Sequence, residues 1–157
     1  MKKYIFISVL TLVMLCFSGC EVHNEQCRFH SQSKYLAVDS QEWKYDTDNM
    51  QYYAHFDVPE LNSNVYNYGN YSLHRVYNAN KSDEYQVALP QSIFMIENVT
   101  DTAGNVSEYY YTQSVDYRVG IGYVEIQVTN SDYFYTEDAQ GYLVPPERMD
   151  FHLQLIW

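Results

Sequence analysis

The clearest alternation of apolar and polar side chains in this chain is residues 123–129, YVEIQVT. Val124, Ile126 and Val128 are apolar, and the residues between them are polar. A period of two places the apolar side chains on one face of a β-strand and the polar ones on the other. The segment therefore predicts a strand with one face packed against a core.

The same period recurs on both sides of this strand. Residues 120–122, GIG, predict a tight reversal directly before it. Further strand-like segments are residues 50–58, 70–78, 84–89, 92–98, 108–118 and 149–157. Pro59 and Pro90 follow two of them, and proline ends a strand because it has no N–H to donate.

One short helical turn is predicted between two of these strands. Leu61 and Val65 lie four residues apart, which is a helical spacing, and Gly69 stands where a helix commonly ends. We expect Gly69 to adopt a positive φ, which glycine reaches at little cost.

Together these elements indicate a fold class. Seven to nine strands, one helical turn and no β-α-β spacing predict an all-β fold. The expected architecture is an antiparallel two-sheet sandwich, immunoglobulin-like or related. A closed barrel is the alternative, because alternation alone does not decide closure. The 18 Tyr, 7 Phe and 2 Trp residues also favour strands over helices.

The amino terminus has the pattern of a targeting signal. Lys2 and Lys3 precede residues 5–17, which are apolar apart from Ser8 and Thr11. At about 1.5 Å per residue this run is too short for a bilayer core of roughly 30 Å. It predicts the apolar region of a signal peptide. An ordinary secretory signal and a single-pass anchor are the alternatives.

Residues 17–20, FSGC, resemble the lipobox of bacterial lipoproteins, with Phe17 where that motif usually has Leu. The resemblance implies cleavage before Cys20 and two or three acyl chains, palmitate among them, on the new amino terminus. Two chains hold a protein stably at a membrane, whereas one chain binds only marginally. We therefore expect a membrane partner through the lipid on Cys20.

These features divide the chain into a lipoprotein signal peptide at residues 1–19, a lipidated tether at residues 20–34 and a β-sandwich domain at residues 35–157. Cys16 leaves with the signal peptide and Cys20 carries the lipid. Cys27 is then left without an internal disulfide partner. It is either an incidental thiol or half of an intermolecular disulfide.

An ordered set of structural motifs covers about Trp43 to Trp157. It comprises Val58-Pro59, Leu61, Val65, Gly69, a strand ending at Tyr77, Leu89-Pro90, a Tyr-rich segment, Gly122 with Val124 and Ile126, and an apolar last strand. The set is similar to small, uncharacterised lipoproteins of Bacteroidetes whose domain is a β-sandwich. The resemblance implies the fold and a lipid-anchored place in the cell envelope, at the outer membrane. It implies no activity, cofactor or catalytic residue.

Charge and motif content narrow the function classes. The 20 Asp and Glu residues outnumber 9 Lys and Arg, for a net charge of -11, and such a chain repels nucleic-acid phosphates. The sequence contains no G-x-S-x-G motif, and its His residues lack the short spacings of a metal site. We therefore predict no nucleic-acid partner, no metal, no cofactor, no catalytic residues and no enzyme activity.

Two candidate sites lie in connections. The longest connection, residues 131–148, holds the candidate ligand-contact residues Tyr133, Phe134, Tyr135 and Tyr142. Tyrosine offers a large contact area at low entropy cost, although these rings could equally cover a sheet edge. The second site is Thr102, because Asp101-Thr102-Ala103 matches the O-glycosylation motif of Bacteroidetes.

The expected function is a membrane-anchored lipoprotein of the bacterial cell envelope, acting as a noncatalytic binding or assembly component. Its partner would be a glycan or an envelope protein. One alternative is a glycan-binding accessory protein at the cell surface. Another is a small hydrolase that uses a pair of carboxylates.

Overall fold

The computed structural model describes residues 30–100, 103–132 and 144–157, and within them nine strands form two antiparallel sheets. The strands are β1 (Ser31–Val38), β2 (Lys44–Asp46), β3 (Gln51–Asp57), β4 (Asn70–Tyr77), β5 (Tyr85–Ala88), β6 (Gln91–Thr100), β7 (Val106–Gly120), β8 (Tyr123–Asn130) and β9 (Met149–Ile156). A six-residue helix, α1 (Ser63–Tyr68), and a 3-10 turn at Ser40–Glu42 lie between strands. The predicted all-β, two-sheet sandwich is confirmed.

The strand order defines the kind of sandwich. One sheet has the order β1-β9-β4-β5 and the other β2-β3-β8-β7-β6. The first strand pairs with the last, whereas in an immunoglobulin domain the first strand pairs with the second. The fold is therefore one of the related sandwiches. The connection from β3 to β4 carries α1 and crosses from one sheet to the other.

The core lies between the sheets and is built from alternate residues of their strands. Val124 and Ile126 of β8 are fully buried, as their alternation predicted, in one cluster with Phe151 and Leu153 of the other sheet. Gln127 is also buried, although it lies on the outer face of β8. Its side-chain amide donates to Glu125 Oε1 at 2.8 Å, which satisfies one of its polar groups.

The folded body begins earlier than the sequence predicted. The main chains of His30 and Trp157 exchange two hydrogen bonds, at 2.8 and 2.9 Å, and β1 pairs with β9 from Ser31 onward. The Lys34 ammonium donates to the carbonyl oxygen of Asp57 at 3.3 Å. The tether predicted to end at residue 34 is therefore wrong for residues 30–34, which belong to the sandwich. Their polar side chains suit an exposed edge strand as well as a tether.

Gly69 ends α1 as predicted, but its φ is -86°, so the expected positive φ is wrong. A glycine is needed at this position because main-chain atoms lie close to its Cα. A Cβ atom there would lie 2.7 Å from the carbonyl oxygen of Val65 and 2.9 Å from that of Ile156. At the other end of the helix, Asn62 Oδ1 accepts the N–H groups of Asn64 and Val65 at 3.0 and 3.1 Å. This is an N-cap that satisfies two otherwise unpaired donors.

β7 extends beyond the strands that flank it. Residues 113–120 of β7 pair with β8, whereas residues 106–112 have ladder pairs only with β6 among the described residues. Within the residues that the structure describes, 94–100 of β6 and 106–112 of β7 form a two-stranded ribbon, which we call the arm. The arm continues the five-stranded sheet past the end of β8.

Candidate functional site

The residues singled out from the sequence all lie outside the described residues. They are Cys20, Thr102, Tyr133, Phe134, Tyr135 and Tyr142, and Cys27 lies outside as well. Lipidation, O-glycosylation and ligand contact at these positions therefore stay predictions. In residues 30–100, 103–132 and 144–157, no helix is long and apolar enough to cross a membrane.

A polar groove lies on the outer face of the five-stranded sheet. Its volume is about 430 Å³, and its lining residues are Tyr45, Asp46, Thr47, Gln51, Tyr53, Arg118 and Glu125. Strand pairing assembles it, because His55 of β3 pairs with Glu125 of β8, which pairs with Arg118 of β7. Paired residues in neighbouring strands point to the same face of a sheet, so sequence-distant charges come together.

One wall of the groove is the hairpin between β2 and β3. The carboxylate of Asp46 accepts the N–H groups of Asp48 and Asn49, at 2.9 and 3.2 Å, and the side-chain amide of Asn49 at 2.7 Å. The hydrogen bonds from Asn49 are the main cause of a lowered Asp46 pKa, and the charge of Arg118 adds a smaller effect. Asp46 is therefore suited to accept hydrogen bonds rather than to act as a general acid.

The groove combines donors and acceptors around one cation. Arg118 is exposed and makes no ion pair with the described part of the chain. Glu125 accepts a hydrogen bond from Gln127 through Oε1, so its other oxygen remains for a ligand. A guanidinium, two carboxylates, an amide and a tyrosine fit the hydroxyl groups of a polar ligand, because each hydroxyl both donates and accepts.

The other sheet brings two histidines together on its outer face. His74 of β4 and His152 of β9 are direct cross-strand partners. The ring of Tyr35 stacks on His152 at a centroid distance of 4.6 Å, and His152 Nδ1 lies 3.1 Å from Gln86 Oε1. The sequence concealed this pair because the two residues are far apart in the chain. No group of three or more His, Cys, Asp or Glu residues suited to a metal ion occurs in the described ranges.

The arm carries a cluster of exposed apolar side chains on its outer face. Phe94 is 66 % exposed and Ile96 is 58 % exposed, and the Phe94 ring stacks on Tyr110 with centroids 5.7 Å apart. The Tyr110 hydroxyl donates to Glu108 Oε2 at 2.6 Å. That bond raises the pKa of Tyr110, because it stabilises the protonated phenol. Exposed apolar patches of this kind mark interaction surfaces.

The family of the chain is not identified by comparison. No protein-family model matches it, and neither a curated protein nor a solved structure is detectably similar to it. The features of the chain that bear on its function are the amino-terminal signal, the polar groove and the arm.

Proposed function

We propose that this protein is a lipid-anchored component of a bacterial cell envelope, at the outer membrane, and that it acts by binding or assembly rather than by catalysis. The observation that carries the proposal is the amino-terminal sequence, in which two lysines, an apolar run and FSGC end at Cys20. The described part of the sandwich begins at residues 30–31, so about nine residues lie between it and Cys20.

Acylation of Cys20 is the direct test of this proposal. The full-length chain is expressed in a bacterium that processes lipoproteins, with labelled palmitate in the medium. We expect the label and the added acyl mass on the amino-terminal peptide. Cys20→Ser should lose both, because it removes the thiol that forms the thioether.

Cys27→Ser is the matched control for this experiment. It removes a cysteine from the same segment and should keep full labelling and membrane association. An unlabelled wild-type protein would contradict the anchor, and so would label that persists in Cys20→Ser.

The polar groove favours a second candidate function, glycan binding at the cell surface. Its lining offers charged and amide hydrogen-bonding groups beside Tyr53, whose ring supplies apolar contact area. The acidity of the chain makes neutral sugars better ligands than phosphorylated ones.

A glycan array that spans host and plant glycans tests the groove. We expect at least one ligand class whose binding falls about tenfold or more in Arg118→Ala and in Glu125→Gln, as for loss of a charged hydrogen bond. Lys81→Ala is the matched control, because Lys81 is exposed in the turn between β4 and β5. The absence of any ligand, or an equal loss in the control, would contradict glycan binding.

A further inference from the structure

The four edge strands of the two sheets are protected to different degrees. β2 has three residues and β5 has four, and short edges offer little to pair with. β1 has eight residues and includes Lys34, a charge that discourages pairing. β6 has ten residues and contains no Lys, Arg or Pro, with Glu97 as its one charge. It is the longest and most apolar edge of the described chain.

Hydrogen bonding shows which main-chain groups of β6 face away from β7. The carbonyl of Thr112 accepts from Ser131 N at 2.8 Å, and its N–H donates to Ser131 Oγ at 2.9 Å. The main-chain N–H and C=O groups of Thr112 therefore point toward the end of β8. Because these groups alternate sides along a strand, those of Tyr111 point toward Met95 of β6. It follows that the even-numbered residues of β6 direct their N–H and C=O groups away from β7, to the side on which no described strand pairs with β6.

We propose that two copies of this chain pair antiparallel along β6 and form a symmetric dimer. The two even-numbered residues at the centre of β6 are Phe94 and Ile96, which are large apolar side chains exposed to solvent. In the register that sets Phe94 of one copy opposite Ile96 of the other, both residues exchange main-chain hydrogen bonds. The two-fold axis then passes beside Met95, which lies opposite its own copy.

This register also matches the side chains. Phe94 and Ile96 lie on the outer face with Tyr110, and in the dimer they form one apolar cluster with their copies. Cross-strand pairs of aromatic and β-branched residues stabilise a sheet. In this register residues 94–96 of the two arms lie opposite each other, and residues 97–99 of each arm lie beside residues 91–93 of the other copy's β6. Each arm thus gains a third strand, whereas a two-stranded ribbon alone is marginal in water.

Charge favours a second copy of the chain on this edge. The net charge of -11 makes most surfaces of two copies repel each other. The edge of β6 avoids this repulsion, because Glu97 falls opposite Ile93 of the second copy rather than opposite another carboxylate. Both copies use the same edge, so assembly closes at two and does not continue into a filament.

The first test is the mass of the full-length protein in detergent, by analytical ultracentrifugation with the micelle subtracted. We expect a dimer at micromolar concentration, and a monomer for Phe94→Lys with an unchanged far-ultraviolet circular dichroism spectrum. Tyr68→Lys is the control, because Tyr68 is an exposed aromatic on α1, and it should remain dimeric. A wild-type monomer or a species larger than two chains would overturn the proposal.

A second test fixes the register. In a Cys27→Ser background, Met95→Cys should form a disulfide-linked dimer on mild oxidation of the purified protein. Residues at a non-hydrogen-bonded antiparallel pair have Cα atoms about 4.5 Å apart, which lies within the disulfide range. Ile121→Cys, exposed at the other end of β7, should remain monomeric. Equal cross-linking at both positions, or none at Met95→Cys, would overturn this pairing.

The dimer and the lipid anchor can be tested independently, because different variants remove them. Cys20→Ser removes the anchor and leaves β6 intact, so it should still dimerise. Phe94→Lys removes the dimer and should still be labelled with palmitate.

Discussion

The two halves of β7 are one continuous strand in two different environments. Residues 113–120 pair with β8, residues 113–115 also pair with β6, and Val115 is 0 % exposed in the core between the sheets. Residues 106–112 lie in the arm, where Val106 is 64 % exposed. Strand alternation therefore sets the face of the sheet on which a side chain lies, whereas packing against the second sheet decides whether that face is buried.

The largest expected effect comes from truncating the same residue type in each half. Val115→Ala should lower the free energy of unfolding by about 2–3 kcal/mol, from lost apolar transfer and a residual cavity. Val106→Ala should change it by less than about 0.5 kcal/mol, as for an exposed position. Urea denaturation measures both, with the slope m unchanged if the unfolding is two-state. Equal losses would show that the arm is as tightly covered as the sandwich.

Two glycine substitutions compare a residue packed against main-chain atoms with one that has open space around it. Gly69→Ala should destabilise the fold by about 1–3 kcal/mol, because its Cβ meets main-chain oxygens that cannot move easily. Gly104→Ala should cost about 1 kcal/mol from its φ of +85° alone, because nothing lies near its Cβ. Thermal unfolding of both variants shows which substitution lowers the stability more. A larger cost at Gly104 would contradict the account.

The hairpin beside the groove should lose stability in acid. The pKa of Asp46 is lowered in the folded state, so its contribution is full above the ordinary value of 3.8 and disappears as the pH falls through the folded pKa. Asp46→Asn should therefore be less stable than wild type near pH 6, and the difference should shrink as the pH falls below 3.8. Melting temperatures across that range provide the measurement, and a constant difference at all pH values would contradict it.

A smaller effect is expected in the arm. The hydrogen bond to Glu108 raises the pKa of Tyr110, so Glu108→Gln should move that titration to lower pH. In the wild type, the bond contributes below the unfolded pKa and is lost as the pH rises through the folded one. Nuclear magnetic resonance of the Tyr110 ring carbon follows this titration. An unmoved titration would show that the bond does not persist in solution.

Much of the fold follows from local pattern. The alternation in residues 123–129 correctly predicted which side chains of β8 face the core, and Pro59 correctly marked the end of β3. Gly69 was placed correctly for the wrong reason, because its constraint is close contact with the carbonyl oxygens of Val65 and Ile156, and Ile156 lies far away in the chain. Residues 30–34 were assigned to the tether because polarity alone does not separate an edge strand from a linker.

The candidate site was less predictable, because it depends on pairing between distant strands. Arg118, Glu125 and the Asp46 hairpin meet only through the register of β3, β8 and β7. Neither the alternation of side chains nor the composition predicted the arm, because residues 108–118 have the pattern of a single strand throughout. An indicator was present in Ile93-Phe94-Met95-Ile96, four apolar residues in a row that alternation does not explain.

Amide hydrogen exchange of β6 and β7 tests the contrast between covered and open edges most directly. We predict that the amides of Phe94 and Ile96 exchange fast in dilute protein and become protected as the concentration rises, while Val115 stays slow throughout. Protection of Phe94 and Ile96 in dilute protein would mean that the edge is already covered within one chain. Fast exchange of both amides at every concentration would mean that no second copy pairs with it.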